Sequence, residues 1–483
     1  MKPKHLASLG FYKNGPAFPL LLRLAEQAIA QGMAKQELYA NLTLLAADPS
    51  AFADHPFWGE AARFHAKALA FRAAYAERED PVQYQRYGTD IESGAIQQME
   101  NACRLPITRA AALLPDAHQG YGLPIGGVLA AEKAVIPYAV GMDIACRMKM
   151  TVFDLPVSTL SDRDGRLRNA LERETRFGVG ASFRKRHDHA VMEADWNVSS
   201  VTRHWRDRAW AQLGTSGSGN HFAEFGELTL ERPARLWTRA DIAGKAAGEL
   251  PAGTYLALLS HSGSRGTGGE VARHFSRLAM RLHPELPKEL STLAWLALDS
   301  EEGAQYWAAL ELMGRYAAAN HEIIHRMIAR NVGAAVLGDV ENHHNFAWRE
   351  RHVIGGMERE VVVHRKGATP AAAGALGVIP GSMATPGFVV RGRGAADSLC
   401  SASHGAGRVM SRAKANETFT RAGLAALLEE RGVQLISAGL DECPLAYKDI
   451  NEVMNAQKDL VEVLAVFHPR LVKMAPAGER AED

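Results

Sequence analysis

From Pro81 onward the chain consists of short apolar runs separated by glycine- and proline-rich turns. This texture is typical of β-strands, because a strand buries side chains over only a few residues before a turn reverses the chain. We expect strands at residues 149–153, 254–260, 359–364 and 388–390, and helices at about 305–330, 420–431 and 451–466. The pattern predicts a mixed α/β (α+β) fold with stacked sheets.

Residues 1–80 differ, because their apolar side chains recur at helical spacing in stretches such as 18–28 and 61–71. No motif in this part suggests chemistry. We expect a small helical extension packed on the main body, with the junction at Glu79-Asp80-Pro81. The predicted organisation is a helical extension over 1–80, a main domain over 81–474 and a polar tail over 475–483.

The charge balance excludes a strong field over the whole molecule. Among 483 residues there are 55 Lys and Arg against 54 Asp and Glu, so a nucleic acid would have to bind a local basic groove. The four cysteines are too few and too scattered for a disulfide framework, which favours a reducing compartment and leaves a thiol free to bind metal. No apolar run approaches the length of a membrane span. We therefore expect a cytoplasmic protein.

The stretch of residues 374–412 combines glycine-rich turns with a single histidine, His404. A helix is predicted to begin after Ser403-His404-Gly405-Ala406-Gly407, so that its unpaired N–H groups and positive dipole end would face an anion such as phosphate. An imidazole at that position can hold a phosphate or attack one. The alternative is a glycine-punctuated turn in which the histidine only caps the helix.

Three more histidines, His221, His261 and His344, stand where glycine-rich loops meet strands or turns. Asp143 and Cys146, spaced D-x-x-C, add a carboxylate and a thiolate. Such a mixed O, S and N set suits a borderline divalent cation. A thiolate can also bridge two ions, and paired ions clamp the attacking and leaving oxygens of phosphoryl transfer. Each histidine taken alone is more often structural than a ligand, so the prediction depends on the group.

A competing motif, His321-Glu322-Ile323-Ile324-His325, matches the H-E-x-x-H pattern of zinc peptidases. At helical period, Glu322 falls on a charged stripe with Arg326, opposite the apolar face formed by Leu310, Met313, Ala317, Ile324 and Ile328. A general base should face the metal instead of solvent. We therefore interpret the match as accidental and keep a zinc peptidase only as a distant alternative.

Seven motifs follow one another in a characteristic order: LPDAHQGYG (114–122), DIAC (143–146), GNHFAE (219–224), HSGSR (261–265), HN (344–345), PGSM (380–383) and SHGAGR (403–408). Over roughly residues 81–474 the chain thereby resembles the RtcB family, the GTP- and manganese-dependent RNA-splicing ligases. The resemblance implies stacked central β-sheets surrounded by helices, with a deep metal-containing cleft. It also implies joining of an RNA 3′-phosphate or 2′,3′-cyclic phosphate to a 5′-hydroxyl.

Carried over residue by residue, the resemblance implies that His404 takes GMP from GTP as a phosphoramidate, while Asp116 holds its tautomer. Arg265 would hold an RNA phosphate or the γ-phosphate. Cys146 would bridge two Mn²⁺ ions, with Asp143, His261 and His344 completing one site and His221 the other. The residues implied around the guanine nucleotide are Asn220, His221, Phe222, Ala223, Glu224, His344, Asn345, Pro380, Gly381, Ser382, Met383, His404, Gly405, Ala406, Gly407 and Lys473.

The chain departs from the family pattern at several positions. Ala145 and Arg147 stand where the family usually has glycine, and we expect Arg147 to bring bulk and charge next to the metals and so to affect RNA entry. After PGSM the family usually has glycine and, four residues beyond Met, a serine that touches the nucleotide. Here Ala384 and Gly387 occupy those positions, so the resemblance does not supply that contact.

From the sequence we expect a GTP- and Mn²⁺-dependent ligase of tRNA splicing or RNA repair, whose partners are GTP and RNA with 3′-phosphate or 2′,3′-cyclic phosphate and 5′-hydroxyl ends. The nucleophile and all five metal ligands are present despite the departures. A non-ligating paralogue that binds RNA ends or guanine nucleotide stays open as an alternative, as does the need for an accessory activator protein.

Overall fold

Two large β-sheets dominate the computed structural model, which describes residues 2–11, 17–74, 76–162, 164–238 and 248–479. The strands are β1 (Gln85–Arg86), β2 (Thr108–His118), β3 (Ile125–Ala131), β4 (Ala134–Val135), β5 (Arg147–Phe153), β6 (Phe222–Leu230), β7 (Gly253–Ser262), β8 (Leu296–Ala297), β9 (Val336–His343), β10 (Asn345–Ile354), β11 (Met357–Lys366), β12 (Ala368–Pro370), β13 (Leu376–Ile379), β14 (Gly387–Gly392), β15 (Ser401–Ser403), β16 (Gln434–Ser437) and β17 (Val461–Met474). The mixed α/β prediction and the four predicted strands are confirmed.

Helices cover the outside of the sheets. They are α1 (Pro3–Ser8), α2 (Ala17–Ala30), α3 (Lys35–Ala47), α4 (Gly59–Ala74), α5 (Ser93–Cys103), α6 (Pro137–Val140), α7 (Arg166–Glu174), α8 (Ser200–Gln212), α9 (Arg265–Leu282), α10 (Glu301–Asn331), α11 (Arg412–Thr418), α12 (Arg421–Glu430) and α13 (Ile450–Asn455). Within the described ranges, no helix is both long and apolar enough to cross a bilayer.

The first sheet has five strands in the order β1-β2-β3-β11-β10. β2, β3, β11 and β10 are antiparallel neighbours, and β11 continues directly from the β10 hairpin. Residues such as Ala112, Val128 and Val363 project from this sheet into a buried cluster that also contains residues of β14 and β17. The five-stranded sheet therefore packs against part of the second sheet, as the prediction of stacked sheets requires.

The second sheet has the order β13-β14-β17-β6-β7-β5-β9, and β16 pairs with β17 as an eighth strand. It curls so strongly that its two end strands, β13 and β9, approach each other. Asn342 on β9 joins them: its Oδ1 accepts from the Val378 N–H at 2.8 Å, and its Nδ2 donates to the Val378 carbonyl at 3.3 Å. The buried side-chain amide of Asn342 thus provides hydrogen-bond partners for backbone groups at the sheet edge that have no partner on a neighbouring strand.

The N-terminal helices have a core of their own. Side chains such as Leu21, Leu38, Leu42 and Trp58, all nearly fully buried, form a cluster built from described residues between Leu6 and Ala62. Helical periodicity in this region is therefore explained by burial within the extension itself. The predicted boundary at residue 80 and the polar tail stay predictions; residues 480–483 of the tail lie outside the described residues.

Two sequence predictions about local structure are wrong. The helix predicted after Gly407 begins only at Arg412, where the Ser411 hydroxyl caps it by accepting from the Lys414 N–H. The helix predicted at 451–466 ends at Asn455, and Val461 starts the long strand β17. β17 pairs along β14 and β6, so contacts distant in sequence override the local pattern.

Asn342→Ala is expected to lower the free energy of unfolding by about 1–3 kcal/mol, because it leaves buried backbone groups of Val378 without partners. Chemical denaturation of the full chain measures this. Asn455→Ala, at the exposed end of α13, is the matched control and should change stability by less than about 0.5 kcal/mol. Equal stability of the two variants would contradict the closing role of Asn342.

Candidate functional site

Four metal-ligand candidates are brought together because they lie at one edge of the curled sheet. His221 precedes the first residue of β6, His261 lies near the end of β7, Cys146 precedes β5, and His344 follows β9. The strands alternate in direction, so beginnings and ends meet at the same edge: Phe222 and Met148 both pair with His261, and Arg147 pairs with His343. Sheet register therefore decides the convergence.

The donor atoms are within contact distance of one another. Sγ of Cys146 lies 3.2 Å from Nε2 of His221 and 3.0 Å from Nε2 of His261. Nε2 of His261 lies 3.2 Å from Nε2 of His344, and Oδ2 of Asp143 lies 3.0 Å from Nε2 of His221. Cys146, His221 and His261 form a buried group able to hold a metal ion. Asp143 lies beside His221, whereas the family resemblance implied a grouping with His261 and His344.

The protonation states suit metal binding. Burial lowers the pKa of His261 and of His344 well below the usual histidine value, and the neighbouring imidazoles lower it further, so both rings are neutral. Burial alone would raise the pKa of Asp143, but the His221 imidazole and the Arg265 guanidinium bring it below its ordinary value. The site thus presents an ionised carboxylate and neutral imidazoles, which are the ligand forms that bind cations.

A second layer of hydrogen bonds orients these side chains. Nδ1 of His261 donates to the Asn220 carbonyl at 3.1 Å, which leaves its Nε2 as a lone-pair donor. Oδ1 of Asp143 accepts from the Ser264 N–H at 2.9 Å. Oδ2 of Asp143 is buried and makes no well-aligned hydrogen bond, although it faces His221. A buried carboxylate oxygen with no adequate partner among converging donor atoms fits a cation.

His404 stands next to the metal ligands and is held by a carboxylate from the other sheet. Oδ2 of Asp116, on β2, lies 2.7 Å from Nδ1 of His404. The same oxygen accepts from the backbone N–H groups of His404 and Gly405. Nδ1 therefore carries a proton, and in the neutral ring Nε2 has the lone pair. The ring centroid of His404 lies 5.0 Å from that of His344. The anion bound by this glycine-rich backbone is Asp116, not a ligand at a helix N-terminus.

Both features open into one cleft of about 660 Å³, a size suited to a nucleotide. Among its lining residues are these predicted ones: Asp143, Cys146, Asn220, His221, Phe222, Glu224, His261, His344, Asn345, Pro380, Gly381, Ser382, Met383, His404, Gly405, Ala406 and Gly407. Glu224 is buried in the wall, and burial raises its pKa well above the usual glutamate value. A buried carboxyl facing a cleft is a candidate for ligand recognition.

Four predicted site residues do not line the cleft, and one of them, Asp116, lies behind His404 as described above. Ala223 points to the opposite face of β6, into an apolar cluster with Phe225. Nζ of Lys473 donates to the Leu171 carbonyl at 3.0 Å, away from the cleft. Arg265 is 3% exposed, and its guanidinium lies 3.3 Å from Nδ1 of His221, on the ring edge away from Cys146; its contact with a phosphate stays a prediction.

The expectation for Arg147 is also wrong. Successive side chains of a strand point to opposite faces, so Arg147 turns away when Cys146 turns toward the site. Its guanidinium donates to the Gly314 carbonyl at 3.4 Å and lies 3.6 Å from a Glu341 carboxylate oxygen. This arginine joins the sheet to α10 and leaves the entrance of the cleft unchanged.

The rejection of the H-E-x-x-H motif as a peptidase site is confirmed. Glu322 is half-exposed and pairs with Arg326 at 3.1 Å and His189 at 3.4 Å. His321 and His325 point the other way, and both ring nitrogens of each have partners inside the protein. The acid and the imidazoles therefore face different sides of α10.

Among the polar residues of the cleft that sequence reasoning missed are His118 and Lys366. Burial lowers the pKa of Lys366 to about 7, and its ammonium donates to the Tyr121 carbonyl. Burial also lowers the pKa of His118 to about 4, while its Nδ1 lies 3.0 Å from the Asp116 carbonyl oxygen. The signal for His118 was its place two residues after Asp116. Lys366 is the last residue of a valine-rich strand, and this position is only a weak indication that it belongs to a functional site.

Comparisons with known proteins show which family this chain resembles over most of its length. The family described as "tRNA-splicing ligase RtcB" matches residues 98–474. The chain is 32% identical over 413 residues to the RNA-splicing ligase RtcB of Escherichia coli K12, covering 80% of this chain and 95% of the relative. It is 30% identical to the tRNA-splicing ligase RtcB of Nanoarchaeum equitans, covering 78% and 91%. It is 31% identical to the RNA-splicing ligase RtcB of Mycobacterium tuberculosis, covering 74% and 95%. With these matches and the clustered ligand set, the chain belongs to the RtcB family.

Proposed function

We propose that this protein is a GTP- and Mn²⁺-dependent RNA ligase that joins RNA 3′-phosphate or 2′,3′-cyclic phosphate ends to 5′-hydroxyl ends. The observation that carries the proposal is the position of His404: Asp116 fixes its proton on Nδ1, and its ring lies beside the metal-ligand candidate His344. A neutral imidazole with a free Nε2 next to a cation site is suited to attack phosphorus. Relatives named RNA-splicing ligases support the choice of RNA as substrate.

The residues present fit a pair of divalent cations. The cations would be held by Cys146, Asp143, His221, His261 and His344, because the donor atoms of neighbouring members of this group lie 3.0–3.2 Å apart. One carboxylate and three imidazoles beside a single thiolate are compatible with manganese. When bound, the cations supply positive charge that neutralises a triphosphate and its leaving group.

In the first step, Nε2 of His404 attacks the α-phosphorus of GTP. A nitrogen–phosphorus bond forms, the bond to the β-phosphate oxygen breaks, and pyrophosphate leaves with the electron pair. Oδ2 of Asp116 keeps its hydrogen bond to Nδ1–H and stabilises the positive charge that develops on the ring. This carboxylate acts as an electrostatic partner and stays unprotonated.

In the second step, an oxygen of the RNA 3′-phosphate attacks the phosphorus held by His404. The nitrogen–phosphorus bond breaks and the neutral imidazole is restored. The 5′-hydroxyl oxygen of the second RNA end then attacks the activated 3′-phosphorus, loses its proton, and displaces GMP. A 2′,3′-cyclic phosphate is first opened by water. Lys366, a cation in the cleft wall at neutral pH or below, is suited to contact an RNA phosphate.

Glu224 is the residue that would select guanine. A carboxylate accepts hydrogen bonds from both N1–H and the 2-amino group of guanine, whereas adenine has no hydrogen on N1. The free carboxyl resists ionisation because it is buried, so two donor groups of the base would compensate that cost. Thr385, whose hydroxyl lies 2.9 Å from Oγ of Ser382, supplies a hydroxyl near the position where Gly387 replaces the family serine.

His404→Ala should abolish formation of a covalent GMP adduct when the protein is incubated with labelled GTP and Mn²⁺, because no other group would hold the nucleotide phosphorus. The wild-type adduct should be acid-labile and alkali-stable, as a phosphoramidate is. His468→Ala, at an exposed position on β17, is the control and should retain the adduct. An adduct without joined RNA ends would favour the non-ligating alternative, and no adduct in the wild type would contradict the proposed chemistry.

Glu224→Gln should weaken GTP binding about tenfold to a hundredfold and reduce the preference for GTP over ATP, because an amide offers one acceptor and a repelling N–H₂ group to the two guanine donors. Affinity of the wild type for GTP should rise with pH, since the raised pKa of Glu224 keeps part of the population protonated at low pH. Calorimetric titration across pH measures both effects. An unchanged pH dependence in Glu224→Gln would contradict this assignment.

Gly263→Ala should lower Mn²⁺ affinity, since a β-carbon at residue 263 would overlap both carboxylate oxygens of Asp143. Mn²⁺ binding can be followed by electron paramagnetic resonance of the free ion. Gly266→Ala is the matched control three residues later: its β-carbon meets no atom closer than 3.5 Å, and alanine favours the helix α9. Retained affinity in Gly263→Ala would argue against Asp143 as a ligand.

A further inference from the structure

The long helix α10 places three buried polar side chains, Asn320, His321 and His325, directly behind the metal-ligand loops. All three are at most 3% exposed, although the helix around them is packed through apolar residues. Buried polar groups are stable only when their hydrogen bonds are satisfied. The partners of these three residues are backbone and hydroxyl groups of the segments that carry His221 and His261, and the Thr151 hydroxyl on β5.

Asn320 bridges two of these segments with one amide. Its Oδ1 accepts from the Gly214 N–H at 2.8 Å, and its Nδ2 donates to the Gly263 carbonyl at 2.9 Å. Gly214 begins the loop that leads to His221, and Gly263 lies two residues after His261. The side chain therefore fixes the spacing between the two segments that deliver these ligands.

His321 forms hydrogen bonds to the residues on both sides of His261. Its Nε2 lies 3.0 Å from the Ser262 carbonyl oxygen, which can only accept, so Nε2 carries the proton. Nδ1 is then an acceptor and receives the Ser260 hydroxyl hydrogen at 2.8 Å. Ser260 and Ser262 flank His261 on β7. The imidazole thus spans the segment on either side of a metal-ligand candidate.

The directions of the remaining hydrogen bonds in this network follow from the donation by Nε2–H of His321 to the Ser262 carbonyl. The Ser260 oxygen, already donating to His321, accepts from Nε2–H of His325 at 2.8 Å. Nδ1 of His325 then accepts from the Thr151 hydroxyl at 2.7 Å, which links the network to β5, the strand that Cys146 precedes. Burial holds the pKa of both imidazoles well below the usual value, consistent with two neutral rings. The Thr151 hydroxyl also lies 3.3 Å from Oδ2 of Asp339, which is a second, more distant acceptor for its hydrogen.

We propose that Asn320 and His321 are positioning residues for the metal centre: by fixing the backbone around His261 and the start of the His221 loop, they set the geometry in which these imidazoles meet a cation. The inference rests on the metal site of the proposed function but needs neither GTP nor RNA. It assigns a role to the H-E-x-x-H segment, whose Glu322 points to solvent and takes no part.

The test is titration of the metal-stripped full chain with Co²⁺. Binding is followed by the thiolate-to-cobalt and d–d absorption bands, and the affinity for Mn²⁺ is measured by competition with Co²⁺. His321→Leu and Asn320→Leu should weaken metal binding about 10–100-fold and change the d–d bands, because loss of a supporting hydrogen bond has effects of this size at metal sites. His321→Gln, whose amide nitrogen can take the place of Nε2, should stay within about threefold. Glu322→Gln is the matched control in the same motif and should behave as wild type.

Thermal unfolding of each metal-free variant separates positioning from simple loss of fold. A cooperatively folding His321→Leu protein with wild-type affinity and an unchanged Co²⁺ spectrum would overturn the proposal. Should the leucine variant not fold, the comparison is His321→Asn, which keeps the Ser260 contact but is too short for the Ser262 carbonyl. It should bind more weakly than His321→Gln, and equal affinities would overturn the proposal. A wild-type protein that binds no Co²⁺ or Mn²⁺ would instead remove the metal centre itself, and this inference with it.

Discussion

The contact of the Cys146 sulfur with the imidazoles of His221 and His261, at 3.2 and 3.0 Å, is the constraint on which the rest of the site depends. Ionisable groups at this depth are costly unless they are paired, hydrogen-bonded or bound to a cation. The surrounding chain satisfies outer atoms of the site: the Asn220 carbonyl accepts from Nδ1–H of His261, and the Ser264 N–H donates to Oδ1 of Asp143. The inner atoms are left facing one another. The inner faces form the space for metal.

The pairing of His404 with Asp116 connects this centre to the other sheet. Asp116 is fully buried on β2, and its Oδ2 receives three N–H groups from the segment after β15. β15 is itself placed by β12, and the Ala368 N–H at the start of β12 donates to the carbonyl of the ligand residue His344. His404 and His344 therefore belong to one hydrogen-bonded framework, so their separation is fixed by backbone and does not depend on a flexible side chain.

Local sequence patterns predicted elements well where the pattern and the burial agree. The run Phe388-Val389-Val390 is a buried strand, and the apolar stripe of α10 is buried as its spacing indicates. Local sequence patterns failed where the structure of a segment depends on partners that are distant in sequence. Residues 461–474 form a strand because β6 and β14 pair along both sides of it. The segment after His404 stays irregular because Asp116 takes its N–H groups. Side-chain direction also escaped local reasoning: Arg147, Ala223 and Lys473 belong to the correct strands but face away from the cleft.

The sequence by itself determined the chemical inventory of this protein. The order of motifs identifies the family, and Cys146, Asp143 and the histidines are donor types that already indicate a divalent cation and a phosphorus-directed nucleophile. Only the tertiary structure decided which atoms meet. Strand register brought four ligand-bearing segments to one sheet edge, placed Asp143 beside His221, and turned Arg265 behind that ring. The physical reason is that residue type fixes what an atom can donate or accept, whereas its partner depends on contacts between segments that lie 44 to 288 residues apart.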